Sequence, residues 1–66
     1  MSKDYEVCFT DGNVTFVKDA EFRSGVLVGT SVINYKDIVV YVANCFYIVE
    51  VADATKSIKE RRAGER

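Results

Sequence analysis

The chain has 66 residues, nine basic and ten acidic side chains, and no histidine, tryptophan or proline. The near balance of charge argues against general nucleic-acid binding, which needs a strong basic excess. The length fits one domain of marginal stability. Two cysteines do not form a disulfide framework. We expect Cys8 and Cys45 to be buried, reduced thiols, with a bridge between neighbouring strands as the alternative.

Nothing in the sequence predicts a targeting or membrane-spanning segment. A basic stretch followed by an apolar one, as in a signal peptide, is not seen. The apolar run in the second half is shorter than the roughly 20 residues needed to cross a bilayer. We therefore expect a soluble, cytoplasmic protein.

The chain opens with a polar stretch and a predicted β-hairpin. Residues 1–4 are predicted to be a disordered lead-in. Residues 5–10 alternate apolar and polar side chains, which indicates a half-buried strand. Asp11 and Gly12 follow, and Asp-Gly is among the strongest short hairpin signals because glycine accepts positive φ.

The second strand is predicted to be long and bent. It begins at Val14, and apolar residues keep a period of two as far as Phe22, so we predict one strand over residues 14–23. The less regular residues Lys18 and Asp19 predict a bend, with a single helical turn as the alternative.

A second turn and a third strand come next. Ser24 and Gly25 predict the turn, and residues 26–30 the strand. Gly29 within that strand predicts a bulge or a close approach of another backbone. Residues 31–37 are ambiguous between a strand end and a loop.

The most apolar part of the chain runs from Ile38 to Val51. Twelve of its fourteen residues are apolar, and the exceptions are Asn44 and Glu50. We predict a fourth strand over residues 38–42, a short turn, and a fifth strand over residues 46–51. Because this run does not alternate, both of its faces should need cover.

The last part of the chain, residues 53–66, predicts a helix or a charged tail. Asp53 is a plausible N-cap, residues 54–63 are mostly good helix formers, and Gly64 is placed as a C′ glycine would be. An apolar stripe of Val51, Ala54 and Ile58 could dock the helix on the β domain of residues 5–52. A frayed tail is the alternative, since short isolated helices are marginal in water.

Three segments carry a resemblance to known proteins: YEVCFTDGNVTFV, VLVGT and VVYVANCFYIVEV. Together they resemble small SH3-like and Sm-like β-barrel proteins of short bacterial and bacteriophage reading frames. The resemblance covers residues 5–51. It implies a mainly β fold, either a five-stranded antiparallel barrel or a twisted sheet, with a short C-terminal helix. The chain lacks the second glycine expected after the first turn in Sm-type RNA binders, which argues against RNA binding.

The residues that usually carry catalysis are missing from the sequence. Without histidine, Cys8 and Cys45 lack the usual base, and no metal-ligand or phosphate-loop spacing occurs. Glu50 is the one carboxylate within an apolar strand, and we expect it to point outward at a sheet edge or to pair with Lys36 or a tail arginine. We therefore predict a non-enzymatic protein without a cofactor or metal.

The alternation within the two last strands predicts an exposed apolar face. If Val40 and Val42 face the core, Val39 and Tyr41 face outward. If Phe46 and Ile48 face one way, Cys45, Tyr47 and Val49 face the other. Tyrosine is enriched at protein interfaces. The predicted binding residues are Tyr35, Val39, Tyr41, Tyr47 and Val49, unless the C-terminal helix covers them.

The leading functional hypothesis is a protein-binding module that is also a homo-oligomer. Its apolar, tyrosine-bearing face would cover a functional surface of a partner protein. By analogy with phage proteins of this kind, the partner would be a bacterial host protein, for example a component of a defence system, in the host cytoplasm.

Two alternatives stay open from the sequence. One is an oligomer that binds a nucleotide or a short single strand, with tyrosines stacking on bases. Phosphate, or an acidic partner, would then contact Lys36, Lys59, Arg61 and Arg62. The other alternative is a structural subunit of a larger particle.

Overall fold

A computed structural model describes the backbone of residues 2–64 and the side chains of residues 2–61. Within this range the chain forms five antiparallel strands in one sheet and a C-terminal helix, which confirms the predicted fold class. A short 3₁₀ turn at Val42–Asn44 joins the last two strands. The elements are β1 (Lys3–Phe9), β2 (Val14–Arg23), β3 (Val26–Ser31), β4 (Asp37–Tyr41), β5 (Cys45–Val51) and α1 (Ala54–Gly64).

The strands are arranged in the order β4-β3-β2-β1-β5, so β4 and β5 are the two edges of the sheet. The first strand begins two residues earlier than predicted. Lys3 pairs with Ala20 of β2, and Asp4 pairs with Val51 of β5. The predicted disordered lead-in is therefore wrong at these two residues, because pairing on both sides orders them. Met1 lies outside the described residues.

Both predicted turns are present. Between β1 and β2 the Asp11 carboxylate accepts a hydrogen bond from the Asn13 amide at 2.9 Å, and Gly12 has a φ of 91°. Between β2 and β3, Ser24 and Gly25 have φ values of 46° and 82°. Two consecutive positive φ values are what a two-residue hairpin turn matched to the strand twist requires.

The predicted bend in β2 is a bulge at Lys18 and Asp19. The register of β2 against β3 shifts between Lys18 and Glu21, and Asp19 has a φ of 51°. Gly29 of β3 faces this bulge. A Cβ at Gly29 would lie 2.6 Å from Val17 Cγ1 and 2.8 Å from the Lys18 carbonyl oxygen. The close approach predicted for Gly29 is thus observed, and only glycine fits it.

The sheet carries a hydrophobic cluster on each face. The inner core contains Val7, Val17, Ala20, Leu27 and Val40, and partly buried side chains from β4 and β5 pack against it. Phe16 precedes Val17 in β2 and so points to the opposite face. There it packs with Val32 and Ala54 to form the helix core, with Val51 and Ile58 beside them.

The helix is docked on the sheet, as one of the two sequence-based alternatives predicted. Asp53 caps it by accepting a hydrogen bond from the Lys56 amide at 3.2 Å. Asp4 of β1 also accepts a hydrogen bond from the first helical amide, that of Ala54, at 2.8 Å. Its other carboxylate oxygen accepts one from the Asp19 amide in the bulge of β2 at 3.1 Å. Asp4 therefore joins β1, the bulge of β2 and the start of α1. Gly64, predicted to follow the helix, is its last residue.

Candidate protein-binding surface

An apolar surface remains uncovered on the outer face of β3 and β4. Val39 pairs with Val28, and Tyr41 pairs with Val26. These four residues point away from the inner core because they alternate with the buried Leu27 and Val40. We call them the β4 patch. The side chains of Val39 and Tyr41 are 53% and 60% exposed.

The β4 patch has a charged border. On β2 the cross-strand neighbours of Val28 and Val26 are Glu21 and Arg23, which form an ion pair with each other. Asp37, at the start of β4, is exposed at the other end of the strand. An apolar centre with a polar rim is the usual arrangement of a protein-binding surface.

The helix does not extend over the β4 patch. It packs mainly on β2 and β1 through the helix core, at the other end of the same outer face. The sheet order places β4 two strands away from β2. The helix thus covers one part of the outer face, and Val39 and Tyr41 stay exposed.

Tyr47 and Val49 do not join the β4 patch. They lie on β5, at the opposite edge of the sheet. The Tyr47 hydroxyl donates a 2.5 Å hydrogen bond to Glu6 of β1. This bond, then partial burial and the nearby charges of Glu6 and Cys8, raise the pKa of Tyr47, while Arg61 opposes the shift. Val49 is 45% exposed. The five predicted binding residues therefore do not form one continuous site.

Phe46 shows where the alternation argument fails. Cys8 pairs with Tyr47 and Phe9 pairs with Cys45, so Phe46 is an extra residue without a partner on β1. This bulge separates Phe46, which is 78% exposed, from Ile48, which packs against the inner core. The prediction that they point the same way is wrong. A bulge changes the alternation, and the period of two contains no signal for it.

The remaining predicted aromatic residue, Tyr35, lies in the loop between β3 and β4. It is 66% exposed and has a φ of 58°, which is unusual for a bulky side chain. The loop is held by hydrogen bonds from the Ile33 amide to the Ser31 hydroxyl and from the Lys36 amide to Asn34. Lys36 is exposed. Sequence reasoning missed the exposure of Phe22 and Ile33. It also placed Val42 on the core side with Val40, which is wrong: Val42 lies in the 3₁₀ turn after β4 and is exposed.

The predicted basic residues of the helix are only partly described. Lys59 and Arg61 are exposed, and the side chain of Arg62 lies outside the described residues. Arg61 opposes the rise in the pKa of Tyr47, so its charge lies within electrostatic range of that hydroxyl.

Both cysteines are free thiols, as the sequence predicts, but they are half-buried where full burial was expected. The Cys45 thiol donates a hydrogen bond to the Tyr41 carbonyl, with the sulfur and oxygen 3.4 Å apart. Burial, and then the neighbouring Cys8, raise the pKa of Cys45. Its thiolate is therefore disfavoured at neutral pH, which makes it a poor nucleophile.

The described residues contain little that could hold a small ligand. Over residues 2–64 no enclosed pocket is found. In the same part of the chain no three carboxylate, cysteine or histidine side chains are close enough together to hold a metal ion. None of the described helical segments is both long and apolar enough to span a bilayer.

Comparison of the chain with protein-family models, with curated proteins and with solved structures found no match. Its function must therefore be argued from the surface described above.

Proposed function

We propose that this protein is a non-enzymatic binding module that acts by covering a functional surface of a partner protein with its β4 patch. The exposure of Val39 and Tyr41 supports this proposal most directly. Both side chains stand on a strand whose other face is fixed by Val40 in the inner core. A patch that is already rigid loses little conformational entropy when it binds.

Tyrosine and valine suit such a role for different reasons. Tyr41 offers a large contact area and a hydroxyl that can bond a polar group of the partner. Val39 and its cross-strand neighbour Val28 offer apolar area that gains free energy when water leaves it, about 25 cal/mol per Å². The ion pair of Glu21 and Arg23 at the border would favour partners with complementary charge.

The class of partner is inferred from the sequence resemblance. If the chain is of the phage type, the partner is a bacterial host protein, such as a component of a defence system, and binding occurs in the host cytoplasm. Occlusion needs only a stable surface, and no pocket or metal cluster is found in the described residues.

Affinity capture from host lysate with matched tyrosine variants tests the proposal. Tyr41→Asp places a charge in the β4 patch and should abolish capture of the partner. Tyr35→Asp makes the same change at an equally exposed tyrosine outside the patch and should leave capture intact. Equal capture by both variants and by the unchanged protein would mean that the β4 patch is not the binding surface.

The same samples also test the nucleotide and single-strand alternative. Titration with a labelled oligonucleotide should give no binding at physiological salt. Salt-sensitive binding that Tyr35→Asp and Tyr41→Asp both weaken would favour that alternative over the proposal, because base stacking would then use the exposed tyrosines.

A further inference from the structure

At the free edge of β4, three residues direct their backbone groups away from the sheet. The Ser31 amide bonds the Lys36 carbonyl at 2.9 Å, and the Val42 amide bonds the Gly25 carbonyl at 3.1 Å. Residues 36 and 42 therefore direct their backbone groups toward β3. Because these directions alternate along a regular antiparallel strand, Asp37, Val39 and Tyr41 direct theirs away from the sheet.

This edge has few of the features by which sheet edges are usually protected: it is short, and its one charge, Asp37, stands at its start. Lysine, proline, bulges and inward-pointing charges all discourage pairing with another chain. The β4 sequence, DIVVY, contains neither lysine nor proline, and its register with β3 is regular. Its central residue, Val39, is apolar and more than half exposed.

The opposite edge carries a protection that β4 lacks, a bulge, beside a charge of its own. β5 has the bulge at Phe46, and Glu50 stands near its end, paired with Lys3 at 3.3 Å. The Phe9 amide bonds the Asn13 carbonyl, so Phe9 directs its backbone groups toward β2. Because these directions alternate along the strand, Glu6 and Cys8 direct theirs toward β5, where they pair with Val49 and Tyr47. The outward-directed residues of β5 therefore include Glu50.

The β4 edge is also complementary to itself. In an antiparallel pair with Val39 facing Val39 of a second copy, all three outward-directed residues meet outward-directed residues. Asp37 then lies opposite Tyr41, a carboxylate opposite a hydroxyl, at both ends of the pair. The two Asp37 carboxylates stand apart. Shifting the register by two residues in either direction loses one of these three pairings.

We propose that two copies of this chain pair through β4, antiparallel and centred on Val39, to form one ten-stranded sheet. The Tyr41 carbonyl, which accepts the Cys45 thiol, has a second lone pair for this contact. Since edge pairing leaves the faces of a sheet open, the two β4 patches become neighbours on one continuous outer face. The inference rests on the proposed function, for which it supplies a doubled binding surface.

Sedimentation equilibrium over a range of concentrations tests the pairing. Val39→Pro removes the outward amide from both copies while it keeps the position apolar. Proline is tolerated where an edge amide faces solvent. We expect the dissociation constant of the dimer to rise about tenfold or more from the two lost hydrogen bonds. Glu50→Pro removes an outward amide at the other edge and should leave the constant unchanged.

Disulfide cross-linking tests the register without relying on proline. Facing residues of a hydrogen-bonded antiparallel pair have Cα atoms about 5.5 Å apart, which suits a disulfide. Val39→Cys should therefore give a covalent dimer on mild oxidation, with the bridge located by peptide mapping. Asp37→Cys alone should not cross-link, whereas a mixture of Asp37→Cys with Tyr41→Cys should.

These measurements separate this inference from the proposed function. The β4 pairing is overturned if the wild-type protein stays monomeric at all concentrations. It is also overturned by a dimer that Val39→Pro does not weaken and that the cysteine variants do not cross-link. Tyr41-dependent capture by that monomer would leave the proposed function standing. If the protein forms the β4-paired dimer but Tyr41→Asp captures partners as well as wild type does, the proposed function is overturned and the pairing stands.

Discussion

The two edges of the sheet are built in opposite ways. β5 is held by side-chain contacts, since the Tyr47 hydroxyl bonds Glu6 and Glu50 pairs with Lys3. A bulge also interrupts its register with β1. β4 is held by pairing with β3 along one edge and by Val40, which packs in the inner core. Its outer side chains and its free backbone groups meet solvent.

The difference is why exposure alone was not the basis for proposing the β4 patch. Phe46 is the most exposed of the large apolar side chains described, yet it stands on the bulge of the protected edge. Val39 and Tyr41 are less exposed but lie on a regular strand beside a free edge. A partner can bury the latter pair together with backbone groups, which gives both apolar contact and hydrogen bonds.

The largest expected effect comes from the glycine that supports β4. Gly29 pairs with Ile38, and a larger side chain there would overlap Val17 and the Lys18 carbonyl. We expect Gly29→Val to destabilise the fold by about 3 kcal/mol or more, a large part of the stability of a small domain. Urea unfolding followed by circular dichroism measures it.

The matched control for this change is the next residue of β3. Thr30→Val introduces the same side chain at a position that alternates to the outer face, so it should change the unfolding free energy by less than about 0.5 kcal/mol. If Gly29→Val kept the wild-type unfolding midpoint, the close contact at the bulge would not exist in solution.

The next prediction compares the two faces of β4 itself. Val40 is 2% exposed, and we expect Val40→Ala to cost about 2 kcal/mol of unfolding free energy. Val39→Ala, one residue earlier, should cost less than about 0.5 kcal/mol in the monomer. Thermal unfolding at a concentration below dimer formation measures both.

Equal losses at the two positions would contradict this arrangement, since they would place Val39 in a core as well. The face left for a partner would then have to be sought elsewhere on the chain. A loss at Val39 that grows with protein concentration would instead report the pairing of two copies.

Local signals in the sequence predicted most of the fold. Asp11-Gly12 and Ser24-Gly25 fixed two turns because positive φ favours glycine, and the apolar alternation located the strands between them. Gly29 predicted a close approach correctly. The bulge at Phe46 could not be predicted, because an extra residue in a strand depends on pairing with β1 and leaves no mark in the local pattern.

The candidate site was only half predictable for a related reason. Alternation correctly placed Val39 and Tyr41 outside the inner core. It could not tell that Tyr47 would bond Glu6, 41 residues away along the chain. It also could not place β4 and β5 at opposite edges, since strand order depends on contacts between distant segments.

A smaller effect is expected at Asp4, which secures the β1 and β5 side of the sheet to the helix. Asp4→Ala removes the acceptor for the Ala54 and Asp19 amides and should cost about 1–2 kcal/mol. Asp4→Asn keeps one acceptor oxygen and should recover about half of that loss. Chemical unfolding gives both values, and a fully stable Asp4→Ala protein would show that these bonds are absent in solution.

The smallest effect concerns pH and separates the half-buried Tyr47 from the exposed Tyr35. The hydrogen bond to Glu6 raises the pKa of Tyr47 above its usual value of about 10. A raised pKa in the folded state means that folding holds this proton, so the stabilisation is complete below about pH 10 and is lost as the pH rises through the folded value. The stability advantage of wild type over Tyr47→Phe should therefore shrink above pH 10.

Urea unfolding from pH 8 upward, with Tyr35→Phe as the matched control, measures this change. The ultraviolet absorbance of phenolate provides a second readout, because Tyr47→Phe should remove the tyrosine that ionises at the alkaline end of the titration. If that late ionisation persisted in Tyr47→Phe, the hydroxyl would not be bonded to Glu6. Tyr47 would then be free to bind a partner, and the contrast between the protected β5 edge and the open β4 edge would no longer hold.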